Sequence, residues 1–421
     1  MQINKLKFIP FLPGFILFGF FYNVRSNDLP PSLKNVKDFV YQLQNIDLGA
    51  IGKTRFDLAV MDYSSDGRDA GRFSANQIET LKTGPGGRRV IISYLSIGEA
   101  EDYRFYWQSG WTPGNPIWLD AENPDWEGNY KVRYWDSGWQ AVVIGYLDKI
   151  LDAGFDGIYC DIIDAYEYYA GKGRTTAAQD MADFVANLRA HAKIQNPDFL
   201  IFVQNAAELA ETVPSYLNAV DGIGQEDIYY GFDEDGKATP TDVSSAMEGN
   251  LKLFRDAGKL VLTVDYPFSQ SEDVPHFDAA TRAKIESAYL RSKTNGFVPY
   301  CTVRHLNFLT INPGHDPSAV EEAASSEGPC AFALLPNFPN PFNGETVIPF
   351  MLEKPSEVSL KLYDALGREI RVLFQGRAGA GKHECRWDGK DRNGIEAAAG
   401  LYLSRVQVER AQAIRKLLLI R

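Results

Sequence analysis

The chain has 421 residues, of which 45% are hydrophobic, and a formal net charge of −12. This length accommodates a barrel of about 250 residues plus a second domain, and the acidity argues against nucleic acid as a partner. Residues 331–421 hold 14 Lys and Arg against 10 Asp and Glu, whereas the preceding residues hold 29 against 45. The acidic part would suit a neutral or cationic substrate, because a cleft of one charge sign concentrates the opposite sign; acidity also serves solubility alone.

The first 26 residues have the pattern of a secretion signal. Lys5 and Lys7 precede an apolar run from Phe8 to Tyr22, which is short for a membrane span. We expect cleavage near Ser26 and a soluble, exported mature protein at the cell surface or outside the cell. A retained membrane anchor is the alternative.

Residues 32–311 predict an α/β domain. A helix is expected at 32–47, and short apolar runs then alternate with amphipathic segments, which is typical of buried parallel strands and their helices. The predicted strands are 57–61, 89–95, 131–134 or alternatively 116–119, 157–160, 199–203, 222–225, 260–264 and 296–301. The predicted helices are 139–153, 177–192, 245–257 and 279–294. Eight such units in about 260 residues indicate a (β/α)8 TIM barrel rather than an open sheet.

Residues 312–421 differ from the preceding domain in composition and in hydrophobic pattern. Residues 312–330 are rich in Pro, Gly, Ser and Glu and predict a linker. Beyond them, turn signals separate short alternating strands at 345–352, 357–363, 369–374, 381–387, 400–408 and 413–420. Residues 331–421 are therefore predicted to form a small all-β, immunoglobulin-like sandwich.

Two predicted barrel strands end in acids, Asp161 and Glu226, which are 65 residues apart. Side chains at the C-terminal ends of barrel strands converge on one face, where barrel active sites lie. Two carboxyl groups on that face are what cleavage of a glycosidic bond requires. Either acid could instead cap the next helix, and Asp164, three residues after Asp161, is a rival candidate.

Further polar side chains follow the strand ends and could bind sugar hydroxyls or an ammonium group, or could be purely structural. They are Asp62, Tyr63, Tyr94, Ser96, Glu99, Glu101, Gln204, Asn205, Asp265, Tyr266, Arg304 and His305, with Asp62 and Glu99 the leading candidates. Trp126 and Trp135 could stack on sugar rings or belong to the core.

Several other chemistries lack their motifs. The four cysteines and five histidines show no metal-binding spacing, so we expect neither a metal nor a cofactor. Cys160 and Cys301 are expected to be buried thiols. One disulfide is possible, but the spacing of the cysteines does not assign its pairing. No G-x-S-x-G elbow and no phosphate-binding loop is present.

The C-terminal segment resembles the immunoglobulin-like sorting domains of type IX secretion cargo and the related hook-capping modules. The matching residues include Asn337-Phe338-Pro339-Asn340-Pro341-Phe342-Asn343, Trp387-Asp388-Gly389 and Gly400-x-Tyr402. The resemblance implies export across an outer membrane by its secretion machinery, followed by release or surface attachment. A plain spacer domain is the alternative.

The barrel resembles glycoside hydrolase family 114, the endo-α-1,4-polygalactosaminidases. The matching stretches are Ala59-Val60-Met61-Asp62-Tyr63, Ile92-Ser93-Tyr94-Leu95-Ser96-Ile97-Gly98-Glu99-Ala100-Glu101, Asn123-Pro124-Asp125-Trp126, Tyr134-Trp135, Gly154-Phe155-Asp156-Gly157-Ile158-Tyr159-Cys160-Asp161 and Gln225-Glu226.

The resemblance implies endo-acting, retaining cleavage of an amino-sugar polysaccharide, with Asp161 as the nucleophile and Glu226 as the general acid/base. An exchange of the two roles stays open. The other readings are a hydrolase of a different polysaccharide and a non-catalytic, carbohydrate-binding or adhesive barrel.

Overall fold

The computed structural model describes residues 29–269 and 274–316, and 332–420 except 336, 341, 353, 365–367, 409 and 410. The chain divides into two compact units, Met1–Ser318 and Ala319–Arg421. The predicted signal segment and most of the predicted linker lie outside the described residues. Within the described part of the chain, no helix is long and apolar enough to cross a membrane.

The first unit contains a sheet of eight parallel strands whose spatial order equals their order in the chain. The strands are Phe39–Gln42, Leu58–Met61, Val90–Ser96, Gly157–Asp161, Leu200–Gln204, Gly222–Glu226, Leu260–Asp265 and Val298–Cys301. Backbone ladders join each strand to the next. The first and last strands are neighbours, with the ring centroids of Phe39 and Tyr300 5.5 Å apart. The sheet is therefore a nearly closed barrel, and the predicted fold class is confirmed.

Two element predictions in the barrel are wrong. The segment 32–47 is not a helix, because it contains the fully buried first strand, Phe39–Gln42. Neither alternative for the third strand belongs to the barrel. Leu119–Glu122 and Asn129–Val132 instead form a three-stranded antiparallel side sheet with Glu99–Glu101. The two errors cancel in the strand count, so Asp161 and Glu226 still end strands four and six.

The other four predicted helices are present, and four shorter helices were not predicted. The helices are Leu48–Gly52, Ala75–Leu81, Ser137–Asp152, Ala165–Gly171, Ala177–Gln195, Leu209–Thr212, Thr241–Asp256 and Ala279–Thr294, with 3-10 turns at Asp69–Gly71 and Pro214–Asn218. Side-chain caps begin some of them: Asp136 accepts from the Gly138 N–H at 2.8 Å, and Asp278 accepts from the Thr281 N–H at 2.7 Å.

One glycine in the sixth barrel strand shapes the barrel interior beneath the strand ends. A Cβ atom at Gly224 would lie 1.7 Å from the Tyr159 hydroxyl oxygen. The absence of a side chain at Gly224 thus lets Tyr159, on strand four, reach across to strand six. Strand four ends two residues later at Asp161, and strand six ends two residues after Gly224 at Glu226.

The second unit is all-β. A three-stranded sheet contains Phe332–Leu334, Thr346–Leu352 and Gly381–Trp387, and a four-stranded sheet contains Ser356–Asp364, Glu369–Ala378, Gly400–Val408 and Ala411–Leu419. Buried residues of both sheets form one core, which includes Phe350, Leu360, Trp387 and Val406. The predicted antiparallel sandwich is confirmed, with one strand, Phe332–Leu334, that the sequence pattern did not indicate.

Candidate active site

The backbone is strained at the ends of three adjacent barrel strands. Ile162, which follows strand four, has a φ of 59°; Asn205, which follows strand five, has a φ of 56°; and Asp227, which follows strand six, has a φ of 61°. Left-handed backbone costs a residue other than glycine about 1–3 kcal/mol, and such residues cluster at functional sites. Asp161, Gln204 and Glu226 therefore project from the part of the barrel where functional residues are expected.

Asp161 is held by two donors. The Tyr94 hydroxyl donates to its Oδ2 at 2.7 Å, and the Ile162 N–H donates to its Oδ1 at 2.7 Å. Burial raises the pKa of Asp161 to about 7, and the nearby charge of Glu226 acts in the same direction, while the Tyr94 hydrogen bond acts against it. Asp161 can therefore change its protonation state near neutral pH.

Both oxygens of Glu226 accept hydrogen bonds from side chains. Gln204 Nε2 donates to Oε2 at 2.5 Å, and Asn205 Nδ2 donates to the same oxygen at 3.2 Å. The Tyr266 hydroxyl donates to Oε1. Four of the predicted site residues, namely Tyr94, Gln204, Asn205 and Tyr266, thus contact one of the two carboxyl groups.

Arg304 contacts two residues beside Glu226, namely Asp227 and Tyr266. Its guanidinium group donates to both oxygens of Asp227, at 3.0 and 2.7 Å, and to Asp235 at 2.7 Å. The same group lies 3.8 Å from the ring centroid of Tyr266. Arg304 thus contacts Tyr266 and the residue next to Glu226, and its predicted role in substrate binding stays a prediction.

Asp62 and Tyr63 are buried and do not face a cleft. Asp62 is 4% exposed and pairs with Arg104 at 2.7 Å, while Arg104 also pairs with Glu101 at 2.6 Å. Tyr63 is fully buried and packs edge-on against Tyr146. Arg104, a cation from a later loop, thus covers this strand end, and a role of Asp62 and Tyr63 in sugar binding stays a prediction. They also end the second barrel strand, not the first.

Glu99, the other leading candidate, is also buried, at 1% exposure. Its Oε1 accepts from Asn123 at 2.9 Å and from Lys131 at 3.2 Å, while Oε2 is buried without a hydrogen-bond partner. The Ser96 hydroxyl donates to the Glu99 carbonyl oxygen at 2.9 Å. Glu99 and Ser96 thus join the side sheet to the third barrel strand, rather than presenting free groups to a sugar.

The remaining candidates differ in exposure. Trp126 is 57% exposed, and Asp164 is exposed just before helix Ala165–Gly171. The Trp135 ring is covered on one face by Arg174, whose guanidinium carbon lies 3.7 Å from the ring centroid, and is contacted by the edge of Tyr169. Trp126 and Asp164 are accessible to a substrate, whereas one face of Trp135 is occupied.

Asp265, at the end of strand seven, holds the backbone of a neighbouring loop. Its Oδ1 accepts from the N–H groups of Tyr229 and Tyr230 at 2.6 and 2.8 Å, and its Oδ2 is buried without a partner. Burial raises its pKa to about 7 from 3.8. The folded protein therefore binds this proton more tightly than the unfolded chain, so the resulting stability is present at low pH and is lost as the pH rises through 7.

We expect Asp265→Asn to raise the free energy of unfolding at pH 8 by about 1–3 kcal/mol, because the amide keeps an oxygen that accepts from the Tyr229 and Tyr230 N–H groups but removes the buried negative charge. The difference from wild type should shrink toward pH 5, where Asp265 is protonated. Urea unfolding at both pH values measures it, with Asp152→Asn on an exposed helix end as the control. Equal stabilisation at both pH values would contradict the assigned ionisation.

In the parts of the chain that the structure describes, the cysteines are free thiols and no metal-binding cluster is present. No group of three or more His, Cys, Asp or Glu is placed to hold a metal ion there. Cys160 and Cys301 are buried free thiols, as predicted, and Cys385 is also free. Cys330 lies outside the described residues.

Two residues that contact the candidate site residues, Tyr41 and Arg104, were not predicted from the sequence. Tyr41, on the unrecognised first strand, donates from its hydroxyl to Gln204 Oε1 at 2.7 Å. Arg104 lies in a loop and pairs with two buried acids. The buried run containing Tyr41 was too short to distinguish from one turn of a helix, and no sequence signal marks Arg104.

Comparisons with known proteins find a family match in each of the two units. The model of "Glycoside-hydrolase family GH114" matches residues 23–316, and that of the "FlgD Ig-like domain" matches residues 339–412. An uncharacterized protein of Thermotoga maritima is 36% identical over 282 residues, covering 65% of this chain and 83% of that protein. One of Deinococcus radiodurans is 37% identical over 288 residues, covering 67% and 85%.

Among solved structures, Aspergillus fumigatus Ega3 in complex with galactosamine aligns with a TM-score of 0.50 and 18% identity. The alignment covers 68% of this chain and 97% of Ega3. At that identity, the likeness concerns the fold of the barrel.

Proposed function

Because the chain belongs to glycoside hydrolase family GH114, we propose that it cleaves an α-1,4-linked, galactosamine-containing polysaccharide by endo action. The observation that carries the proposal is the pair Asp161 and Glu226 at the ends of strands four and six. Each carboxyl group accepts a hydrogen bond from a tyrosine hydroxyl, Tyr94 on Asp161 and Tyr266 on Glu226. A preorganised pair of carboxyl groups is the catalytic requirement of glycoside hydrolysis.

In the proposed retaining mechanism, ionised Asp161 attacks the anomeric carbon while protonated Glu226 gives its proton to the departing glycosidic oxygen. The sugar–oxygen bond breaks, and a glycosyl ester of Asp161 forms. Glu226, now ionised, takes a proton from water, whose oxygen attacks the anomeric carbon and releases Asp161. Tyr94 remains hydrogen-bonded to Asp161 and orients it for the attack.

An amino-sugar substrate is supported by the charge around the two carboxyl groups. Asp164 is within electrostatic range of Lys131 as well as of Glu208 and Glu226, and Glu167 is within range of Glu208 and Asp164, so acids outnumber the cation in this cluster. Such a surface attracts an ammonium group. The galactosamine bound to the fold neighbour Ega3 is a sugar of this kind. A bound ammonium group would also lower the pKa of Asp161 and favour its attacking form.

The pH dependence tests the two roles. If Asp161 is the nucleophile, its pKa of about 7 controls the acid side of the profile. We expect kcat/KM to rise about tenfold per pH unit below pH 7, because only ionised Asp161 attacks, and to fall again on a separate high-pH limb, where Glu226 no longer has a proton to give. A kcat/KM that instead falls as Asp161 ionises would exchange the roles of the two acids.

The function itself is tested by digesting partially deacetylated poly-α-1,4-galactosamine with the purified full chain and measuring product sizes by mass spectrometry. Short oligomers that disappear with Glu226→Gln are the expected result. Saturable polymer binding without products would favour an adhesive, non-catalytic barrel. Cleavage of other polysaccharides, but not of this one, would change the sugar and keep the hydrolase.

We also propose that the protein is exported and that its second unit acts as a sorting domain for an outer-membrane secretion machinery. The charged and apolar pattern of residues 1–26 and the FlgD-type match support this. The test is expression in a host with type IX secretion, with and without residues 331–421. Equal export of both forms would contradict the sorting role.

A further inference from the structure

A buried tyrosine on the first barrel strand is linked to Glu226 through one amide side chain. Tyr41 is 1% exposed, and its hydroxyl donates to Gln204 Oε1 at 2.7 Å. Gln204 is 5% exposed, and its Nε2 donates to Glu226 Oε2. Residues of strands one, five and six thus form a continuous chain of hydrogen bonds.

This chain determines which end of the Gln204 amide meets Glu226. An amide has one accepting end and one donating end, and an ionised carboxylate can only accept. The carboxylate therefore takes the NH2 group of Gln204, and the Tyr41 hydroxyl, which can donate, satisfies the oxygen at the other end of the amide and holds it in this orientation. The Asn205 amide is oriented in the same way, because its Oδ1 accepts from the Glu226 N–H at 2.9 Å and from Gln225 Nε2 at 3.1 Å.

The two oxygens of Glu226 consequently have different roles. Oε2 receives two amide donors, neither of which can accept a proton from it. Oε1 faces the Tyr266 hydroxyl, which can either donate or accept. The proton of neutral Glu226 therefore belongs on Oε1.

We infer that Tyr41 is a positioning residue for Glu226: its hydroxyl fixes the Gln204 amide so that Oε2 accepts and Oε1 carries the exchangeable proton. The catalytic consequence rests on the proposed function, in which Glu226 is the acid/base. The effect of Tyr41 on the ionisation of Glu226 does not depend on the proposed function.

The other titratable or charged groups within electrostatic range of Glu226 come from several elements, and all stay unchanged in the variants below. They are Tyr159 and Asp161 of strand four, Asp164, Asp227, and Tyr266 with its neighbour Arg304. A change in the ionisation of Glu226 on replacing Tyr41 is therefore attributable to the hydrogen-bond chain.

Tyr41→Phe leaves Gln204 Oε1 buried without a donor, so the amide loses the contact that holds its NH2 group against Glu226 Oε2. A less firmly held donor at Oε2 stabilises the ionised carboxylate less. We expect the titration midpoint of Glu226 to rise by about one pH unit, the size of one hydrogen bond to a charged group. The fall of kcat/KM on the high-pH side of the profile should move to higher pH by the same amount.

The experiment compares the full-length wild type, Tyr41→Phe and Tyr216→Phe. Tyr216 is a matched control, because it is 1% exposed and its hydroxyl makes no hydrogen bond. The Glu226 midpoint is followed by carboxyl carbon NMR, assigned with Glu226→Gln, and by kcat/KM against pH on the galactosamine polymer. An upward shift in Tyr41→Phe alone supports the inference, and an unchanged midpoint in a folded Tyr41→Phe protein overturns it.

Gln204→Leu tests the same link from its other end, and also serves if Tyr41→Phe does not fold. It should raise the Glu226 midpoint, and Tyr41→Phe added to it should cause no further shift; a further shift would overturn action through Gln204. If the wild type cleaves no polymer, the proposed function fails, while the NMR titration still decides the role of Tyr41.

Discussion

Asp161→Asn and Glu226→Gln are each expected to lower kcat by about 10³-fold or more, with polymer binding largely retained. Each substitution preserves the shape of the side chain but removes the carboxyl group that attacks or transfers a proton. The side chains that hold them, Tyr94 on Asp161 and Gln204 and Tyr266 on Glu226, remain in place. Initial rates on the galactosamine polymer measure kcat, and sedimentation with the polymer measures binding.

Asp152→Asn is the control for an isosteric loss of charge, because Asp152 lies exposed at the end of an outer helix. Asp164→Asn separates the two acids that follow strand four. Asp164 is exposed and makes no capping hydrogen bond, so its replacement should cost far less than that of Asp161. A loss as large in Asp164→Asn, with near-normal turnover in Asp161→Asn, would reject the assignment.

Arg104→Met is expected to lower the free energy of unfolding by about 3–5 kcal/mol, the usual result of removing one partner from a buried ion pair. Arg104 is 4% exposed and pairs with Asp62 at 2.7 Å and with Glu101 at 2.6 Å. Without it, two buried carboxylates face each other with no compensating cation. Urea unfolding at pH 7, followed by tryptophan fluorescence, measures the loss.

Lys252→Met is the matched control, since Lys252 forms a partly exposed pair with Glu248 at 3.8 Å one helical turn away. Such pairs contribute less than about 1 kcal/mol. A similarly small effect from Arg104→Met would contradict the prediction, because the two buried ion pairs would then contribute little to the free energy of unfolding.

Much of the barrel could be predicted from local patterns. The strands Gly157–Asp161 and Leu260–Asp265 are continuous apolar runs, and helix Ala279–Thr294 was predicted with its observed limits. Burial on both faces requires apolar residues throughout a parallel strand, so the pattern is strong there. The first strand has only four residues, Phe39–Gln42, and such a short run does not distinguish a strand from a helical turn.

The side sheet shows the reverse error. Asn129–Val132 has a strand pattern and is a strand, yet it pairs with Glu99–Glu101 and Leu119–Glu122 instead of entering the barrel. A sequence pattern indicates extended backbone but not its partner, because pairing depends on which segments the fold brings together. The same limit applies to Asp62 and Glu99, whose positions near strand ends are readable while the cations that cover them are not.

The sequence by itself determined the class of the two domains and the position of Asp161 and Glu226 at the ends of two barrel strands, which converge wherever the intervening helices lie. Only the tertiary structure decided what holds each carboxyl group. Tyr41 is 163 residues from Gln204 along the chain, and Tyr266 is 40 residues from Glu226. Hydrogen bonds depend on distances and angles set by the packed barrel, and no local pattern in the chain encodes them.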